Sequence, residues 1–454
     1  MMELINKSKR NLNLSPVKLI VLLYFVAILI ATAILNLPFL LEPGQSLSFF
    51  DSFFTAISAI SVTGLSVISI EEVFNTAGYF ALSLIFQLGG IGIMTLGTAV
   101  YIILGKKIGI RERQLILIDQ NQTSFSGLVR LMKKIIQTLV LIELIGMIIL
   151  SVYFLGVYDT WQEAFLNGYF ASVSATTNAG FNITGASLIP FADDLLVQIV
   201  TMVLMVLGAI GFPVLIEVQQ WLYSKKNNDK TFRFTTFMKL TTLTYFILLV
   251  IGAIVFFALE NQGAFSSQSS IQSIFSSLFY SVTTRSGGQT IMSMTEFSIP
   301  TLIVSSLLMF IGASPSSVGG GIRTTTLAVI ILAVYNYAKG RQTVKVFKRE
   351  ISDHDTIRSF VVFVTALFLT VTSIFMLSIT ESFSLIEIAF EVFSAFGTAG
   401  LSLGITAGLS PFGRIVIMLL MFIGRIGIFS FLFLIRGEPN KDLYRYPKAK
   451  MLIG

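Results

Sequence analysis

The amino-acid sequence predicts an all-α integral membrane fold built from four similar units. Three observations predict it: the composition, the spacing of the charged residues and an internal repeat. Of the 454 residues, 54% are apolar and 12% are charged, about half the roughly 25% of charged residues that soluble globular domains carry. The chain also has no cysteine. Soluble, disordered, nucleic-acid-binding and disulfide-rich secreted proteins are therefore excluded as classes.

Long intervals between charged residues mark the predicted membrane spans. A helix needs about 20 mostly apolar residues to cross roughly 30 Å of hydrocarbon. Six intervals of this length contain no charged residue, and two more contain only Glu143 or Arg425. The eight predicted spans are residues 19–41, 73–105, 135–158, 195–216, 240–259, 297–322, 359–380 and 415–435.

Four shorter charge-poor segments lie between the two spans of each successive pair. They are rich in Ser, Thr and Gly, and they cover residues 49–66, 161–182, 270–290 and 384–402. Non-helical backbone at membrane depth is tolerated only where protein buries it or where it lines a water-filled cavity. We therefore predict four re-entrant pore helices, each ending in a turn. The alternative is four ordinary external loops.

The basic residues predict the orientation of the chain. Of the 31 Lys and Arg residues, 27 lie at the two ends of the chain or in the segments after the second, fourth and sixth spans. Lys and Arg near the ends of spans are retained on the cytoplasmic side, so both termini are predicted to be cytoplasmic. The opposite face is acidic, which raises the local concentration of cations.

Two sequence signatures recur with the same period. The first reads SVTGL, TNAGF, RSGGQ and GTAGL, and its glycines, spaced by 116, 108 and 112 residues, are Gly64, Gly180, Gly288 and Gly400. The second reads LGGIG, LGAIG, IGASP and IGRIG, at Gly89, Gly208, Gly312 and Gly424. Because the two signatures recur with the same period, they predict four repeats. The repeats lie within a single predicted membrane domain, residues 1–454. Their predicted bounds are 1–112, 113–230, 231–350 and 351–454.

Each repeat holds two crossings, so all four repeats enter the membrane from the same side and are related by an axis along its normal. The predicted architecture is four M1-P-M2 repeats, with eight transmembrane helices and four re-entrant pore helices around a pseudo-fourfold central pore. Backbone carbonyls from four symmetric turns can replace the water around a cation. Glycine permits the positive φ that such turns need, and each pore helix points the negative end of its dipole at the ion.

These turns predict the ion-binding residues. The turns contain no Asp or Glu, which favours a monovalent over a divalent cation; the residues alone do not separate K⁺ from Na⁺. The carbonyls predicted to bind the ion belong to Val62, Thr63, Gly64, Asn178, Ala179, Gly180, Ser286, Gly287, Gly288, Thr398, Ala399 and Gly400.

A Gly-, Ser- and Pro-rich run interrupts the sixth predicted span. Such a run cannot sustain a transmembrane helix, so we predict a loop at membrane depth that acts as a gate; a static kink is the alternative. The gate residues are Gly312, Ala313, Ser314, Pro315, Ser316, Ser317, Gly319, Gly320 and Gly321.

Two arginines lie close to these features. Arg425 lies within the last span, where a charge costs at least about 2.5 kcal/mol and usually marks function. We predict that it lies beneath the filter near the loop, as an electrostatic barrier or as an anchor. Arg285 precedes the third turn, and we interpret it as an outer-mouth residue that pairs with an acid such as Glu296.

The turn residues carry a family resemblance. SVTGL at 61–65, NAGF at 178–181 and GTAGL at 397–401 resemble the degenerate filters of the Trk/Ktr/HKT potassium transporters, and the resemblance covers almost the entire chain. With eight predicted spans it is most similar to the Ktr membrane subunit of the KtrB or KtrD type. The resemblance implies a K⁺ uptake pore in a bacterial plasma membrane. Gly64 matches the position where sodium-preferring plant relatives carry serine.

The resemblance also implies details of the gate and the filter. It implies an intramembrane loop at 312–321 that obstructs the pore, and a basic residue at the position of Arg425. The third repeat departs from the family pattern, because Gly287, Gly288 and Gln289 stand where an alanine-like residue, glycine and an aromatic residue are usual. The contribution of the third turn to the filter is therefore the least defined.

Partners follow from the same resemblance. It implies a homodimer docked on a cytosolic ring of nucleotide-binding regulatory subunits of the KtrA or KtrC type, with no nucleotide site on this chain and with Na⁺ left open as an activator. The basic segment 339–358 is a candidate for that contact, or for contact with lipid. A Na⁺-coupled monovalent cation carrier is the alternative function. Catalysis is not expected, because the single histidine, His354, lies in this basic segment, the chain has no cysteine and HExxH does not occur.

Overall fold

Helices form nearly all the regular structure of the protein. The computed structural model describes residues 16–92, 128–227, 232–435 and 447. The α-helices in this part are α1 (Pro16–Leu35), α2 (Phe49–Ser61), α3 (Ile70–Val73), α4 (Thr76–Ile91), α5 (Leu128–Phe154), α6 (Trp161–Thr176), α7 (Leu195–Ala209), α8 (Phe212–Lys226), α9 (Thr236–Glu260), α10 (Ser270–Thr283), α11 (Ile299–Phe310), α12 (Thr324–Ala338), α13 (Asp353–Thr380), α14 (Leu385–Gly397), α15 (Pro411–Ile426) and α16 (Ile428–Ile435). One antiparallel hairpin joins β1 (Lys345–Val346) to β2 (Arg349–Glu350).

The long helices expose apolar side chains and bury polar ones, as a lipid environment requires. On α9, Leu243, Val250 and Ile254 are exposed, whereas Thr241 and Tyr245 are fully buried. In water this distribution would be unfavourable, because roughly 25 cal/mol is lost for each Å² of apolar surface left in contact with the solvent. The fold is therefore of the membrane type.

The described helices differ from the eight spans predicted from the sequence, of which only the sixth was predicted to contain a loop. Four of them, α1, α5, α9 and α13, are long and apolar enough to cross a membrane unbroken. The pairs α7–α8 and α15–α16 each bend sharply, by 101° and 105°, which gives up to six spans in this part of the chain. The bends fall at Gly211 and Gly427, whose φ angles of 102° and 86° are accessible to glycine without strain. The predicted spans 195–216 and 415–435 are thus not straight helices.

Each predicted re-entrant segment contains one short helix, namely α2, α6, α10 and α14. A hydroxyl side chain caps the first turn of each by accepting a hydrogen bond from the backbone three residues later. The capping residues are Ser48, Thr160, Ser269 and Ser384. The last turns of these helices are almost completely buried, so each helix runs from the surface into the interior and ends there.

The glycines of the second signature let a long helix touch the end of a short one. A Cβ atom on Gly89, Gly208 or Gly424 would lie 2.2, 2.1 and 2.1 Å from the carbonyl oxygens of Ile60, Thr176 and Phe396, respectively. Helices α4, α7 and α15 therefore pack directly on the carbonyl ends of α2, α6 and α14. In the third repeat the corresponding glycine, Gly312, lies in a loop rather than in a helix, and it packs against the carbonyl of Gly320.

We expect Gly208→Ala to destabilise the protein, because the added methyl meets a backbone carbonyl that cannot move away. Overpacking of this kind costs about 1–3 kcal/mol, so the melting temperature of the detergent-solubilised protein should fall by several degrees. Gly156→Ala is the control, since its nearest neighbour, the Tyr153 carbonyl, is 3.5 Å away. Equal melting temperatures for the two variants would contradict this explanation of the signature.

Candidate cation pathway

The four predicted filter turns adopt one backbone conformation. In each triplet the first and third residues have positive φ. The angles are 57° and 91° at Val62 and Gly64, 53° and 70° at Asn178 and Gly180, 71° and 71° at Ser286 and Gly288, and 47° and 81° at Thr398 and Gly400. Non-glycine residues rarely adopt this conformation, so its occurrence in all four turns indicates a common geometry. The divergent third turn shares it.

Each short helix carries a Ser or Thr near its end. In three of the four helices this hydroxyl forms a hydrogen bond with the backbone of the turn or of the residue after it. This feature was not predicted from the sequence. Ser58 Oγ accepts a hydrogen bond from the amide of Gly64 at 3.1 Å, and Ser174 Oγ donates to the carbonyl of Phe181 at 2.6 Å. Thr283 Oγ1 bonds both the amide and the carbonyl of Gln289, at 3.0 and 2.7 Å. Ser394 occupies the corresponding position in the fourth helix, but its Oγ makes no hydrogen bond. The available signal was a Ser or Thr five or six residues before every turn glycine.

The turns lie against one another in a closed circuit. A Cβ on Gly64 would be 2.5 Å from the Ala179 oxygen, and one on Gly180 would be 3.1 Å from the Gly288 Cα. One on Gly288 would be 2.8 Å from the Ala399 oxygen, and one on Gly400 would be 2.1 Å from the Thr63 oxygen. The first turn therefore contacts the second, the second the third, the third the fourth and the fourth the first. Only glycine fits at these four positions.

Local packing explains why the third turn departs from the family pattern. A Cβ on Gly287 would lie 2.4 Å from the sulfur of Met205 and 2.8 Å from the Cα of Thr283. An alanine does not fit there without a shift of the backbone, because the Thr283 Cα, unlike the flexible Met205 side chain, cannot move aside alone. Gln289, which stands in place of the usual aromatic residue, is 3% exposed. The departure in sequence leaves the backbone geometry of the turn unchanged.

The predicted break in the sixth span is a buried loop, residues 311–323, between α11 and α12. Its backbone is bonded to the second-signature segments of two other repeats. The amides of Ser314 and Val318 donate to the carbonyls of Ala209 and Gly208 at 3.0 and 3.3 Å, and the amide of Gly321 donates to that of Gly424 at 3.3 Å. The loop also contacts the fourth turn, because the amide of Gly320 donates to Thr398 Oγ1 at 2.7 Å.

Three guanidinium groups donate to the loop, those of Arg425 and Arg323 and that of Arg285, which is described below. Arg425 lies beside the loop and donates to the carbonyls of Val318 and Gly89 and, at 2.9 Å, to that of Gly90. Arg323 donates to the carbonyls of Gly319 and, at 3.2 Å, of Ser314. Arg323 was not among the predicted residues, because it lies outside the Gly-rich run and looks like the start of the next helix.

A cavity of about 420 Å³ adjoins the loop. Its lining includes the loop residues Ser316 and Ser317 together with Arg323, Arg358 and Arg425, but none of the twelve turn residues. The loop therefore has the turns on one side, through the Gly320–Thr398 bond, and this cavity on another.

The prediction that Arg285 is an outer-mouth residue is wrong. Its side chain is 1% exposed, and it donates to the carbonyl of Gly312 at 2.8 Å. Its guanidinium carbon lies 5.1 Å from the centre of the Tyr245 ring, which is a cation–π geometry. A buried guanidinium needs acceptors close by, and the loop carbonyl supplies one. Arg285 thus joins the residue next to the third turn directly to the loop.

A family model described as "Cation transport protein" (TrkH) matches residues 8–445. The chain belongs to the TrkH family of cation transport proteins. This TrkH-family chain is 52% identical to the Ktr system potassium uptake protein D of Bacillus subtilis, over 97% of the chain and 98% of that protein. It is 34% identical to the potassium/sodium uptake protein NtpJ of Enterococcus hirae, over 99% of the chain and all of that protein.

A solved structure shows the same fold. The potassium transporter TrkH from Vibrio parahaemolyticus superposes with a TM-score of 0.72 at 20% identity, over 94% of this chain and 86% of that one. Family membership makes the chain a membrane transport protein. No cluster of three or more His, Cys, Asp or Glu side chains that could hold a metal occurs within the described ranges.

Proposed function

We propose that the protein takes up K⁺ through a pore whose selectivity filter is the circuit of four turns. The observation that carries this proposal is the mutual contact of four left-handed turns that only glycine allows. An ion that sheds water needs oxygen ligands at close range, and backbone carbonyls in such turns supply them. In this proposal the carbonyls of the twelve turn residues bind K⁺, and four M1-P-M2 repeats surround them with pseudo-fourfold symmetry.

The electrostatics of the surroundings support a cation. Helices α2, α6, α10 and α14 each end at a turn, so the negative ends of their dipoles point toward it. The turns hold no carboxylate, which favours a monovalent ion. The potassium uptake named for the Bacillus subtilis relative, together with glycine rather than serine at position 64, favours K⁺ over Na⁺.

In this proposal residues 312–321 are a gate that obstructs the path. The support is that the loop is buried, bonded to Thr398 of the fourth turn and bonded by Arg323 and Arg425. The side chains of Ala313, Val318 and Ile322 are buried in the apolar core. The hydrogen bonds of the loop run mainly to backbone carbonyls, which water can replace when the loop moves. Glycines at 319–321 permit more than one backbone conformation.

The assembly belongs to the same proposal. We place the chain as a homodimer in a bacterial plasma membrane, with a cytosolic nucleotide-binding ring as partner. The segment 339–358, whose hairpin exposes Lys345, Arg349 and Phe347, is the candidate contact. The predicted cytoplasmic termini fall on residues 1–15 and 436–454, which apart from residue 447 lie outside the described ranges, as do the repeat boundaries at 112 and 230.

Flux measurements on purified protein in liposomes test the proposal. We expect a K⁺ or Rb⁺ gradient alone to drive uptake, because a pore needs no second ion for energy. External Na⁺ should at most change the rate. Uptake against the K⁺ gradient that requires a Na⁺ gradient would instead establish the Na⁺-coupled carrier, and liposomes without protein give the background leak.

A further inference from the structure

The four short helices differ in the hydrogen bonds that their side chains make to the segment after each turn. Ser58, Ser174, Thr283 and Ser394 are the Ser and Thr residues that precede the four turns. Three residues before each of them, the short helices carry Thr55, Ala171, Tyr280 and Glu391, respectively. Thr55 Oγ1 donates within its own helix, to the Asp51 carbonyl at 2.8 Å, and the alanine has no polar side chain. The third and fourth residues instead reach across to the segment that follows their turn.

Glu391 makes the tightest of these ties. Its side chain is fully buried, and it accepts hydrogen bonds from Ser402 Oγ at 2.7 Å and from Thr406 Oγ1. Ser402 lies two residues beyond Gly400, and its Oγ also accepts from the Gly404 amide at 3.0 Å. The segment that leaves the fourth turn is thereby fastened to α14 behind it.

Tyr280 makes the equivalent tie in the third repeat with a neutral group. Its hydroxyl donates to the Met292 carbonyl and accepts from the Met292 amide, both at 2.9 Å. Two different chemical solutions at one helix position serve the same purpose, so the tie itself matters rather than the particular residue. A buried carboxyl that was not needed for it would be costly to retain.

We propose that Glu391 is a positioning residue for ion selectivity. The proposal rests on the proposed function, in that the four turns form the filter. In the cavity-size account of selectivity, which this proposal adopts, the carbonyls must keep their positions when a smaller ion arrives. By fastening Ser402 and Thr406, Glu391 prevents the fourth turn from closing around Na⁺, whereas the first and second turns have no such tie at this helix position.

A series of substitutions at this position tests the inference. We expect Glu391→Met, which removes both acceptors at similar volume, to lower the K⁺-over-Na⁺ uptake ratio about tenfold, equivalent to about 1.4 kcal/mol. Glu391→Gln keeps one acceptor oxygen and should restore most of the ratio. The control is Glu387→Gln, because that carboxylate lies one turn earlier on α14 and caps its own helix at Ser384. That variant should keep the native ratio.

Ser402 and Thr406, which donate hydrogen bonds to Glu391, provide an independent test if Glu391→Met fails to fold. The double variant Ser402→Ala, Thr406→Val should lower the ratio as Glu391→Met does, and it should add nothing in the Glu391→Met background, since both remove the same bonds. A loss of total uptake with an unchanged ratio throughout the series would overturn the inference. Gly64→Ser, measured in parallel, distinguishes a failure of the filter assignment from a failure of the positioning role. If Gly64→Ser changes the ratio while the Glu391 series does not, the filter assignment stands and only the positioning role fails.

Discussion

Replacing Gly64 by serine is expected to abolish the preference for K⁺ over Na⁺. The residue has a φ of +91°, and a Cβ there would lie 2.5 Å from the Ala179 oxygen and 2.9 Å from the Gly180 Cα. Either the first turn rotates or the second moves away, and both displace carbonyls from the proposed ion path. Even about 1.4 kcal/mol of lost discrimination is tenfold in selectivity, so we expect the uptake ratio to fall at least tenfold.

The measurement is Rb⁺ and Na⁺ uptake in cells that lack their own K⁺ uptake systems, normalised to the amount of protein in the membrane. Gly44→Ser is the matched control, because Gly44 has nearly the same φ of +88° but no atom within 4 Å of an added Cβ. It imposes the same backbone strain away from the turns. A Gly64→Ser variant that keeps the native ion ratio would leave the filter assignment without support.

Replacing Arg425 by alanine is expected to release the loop and to increase the flux of K⁺ through the closed protein. The change removes donors from the carbonyls of Val318, Gly89 and Gly90. Hydrogen bonds to charged groups contribute about 1.5–3 kcal/mol each, so the loss of even one favours the displaced loop by tenfold or more. Arg425→Lys should give an intermediate leak, because an ammonium group lacks the planar fork that reaches several acceptors.

The leak is measured as Rb⁺ efflux from liposomes that contain the purified chain without regulatory partners. Arg414→Ala is the control from the other end of α15, where this arginine pairs with Asp51 at 2.8 Å and is partly exposed. It should leave the leak unchanged, since partly exposed ion pairs contribute little. If Arg425→Ala shows the native leak at a normal protein level, the loop is not held closed by this residue.

Some features of the site could be predicted because local sequence dictates them. The triplets ending at Gly64, Gly180, Gly288 and Gly400 need residues that tolerate positive φ, and glycine at a fixed period reveals that need. The break at 311–323 was predictable for a related reason, since a run of Gly, Ser and Pro cannot form a helix. Each of these inferences depends on residues adjacent along the chain.

Other features were invisible or misleading in the sequence. Gly211 and Gly427 are the last residues of the LGAIG and IGRIG segments, but the bend of about 100° there was not predicted. It arises because both adopt a φ that other residues avoid. Arg285 looked like a surface charge, since nothing nearby in sequence indicates that the carbonyl of Gly312 accepts its hydrogen bond. The ties from Glu391 and Tyr280 likewise depend on where the chain returns after each turn.

The sequence by itself therefore determined the membrane class, the four glycine turns and the broken sixth span, because composition and backbone conformation are properties of neighbouring residues. Only the tertiary structure decided that the turns meet in one circuit, that the loop is bonded to Thr398, and that Arg425 and Arg323 hold it. Most of these contacts join residues about 80 to 340 positions apart in the chain. The bonds of Arg323 instead connect one end of the loop to its middle. Which groups meet in this way depends on how whole helices pack together, and a side chain's type does not specify its distant partner.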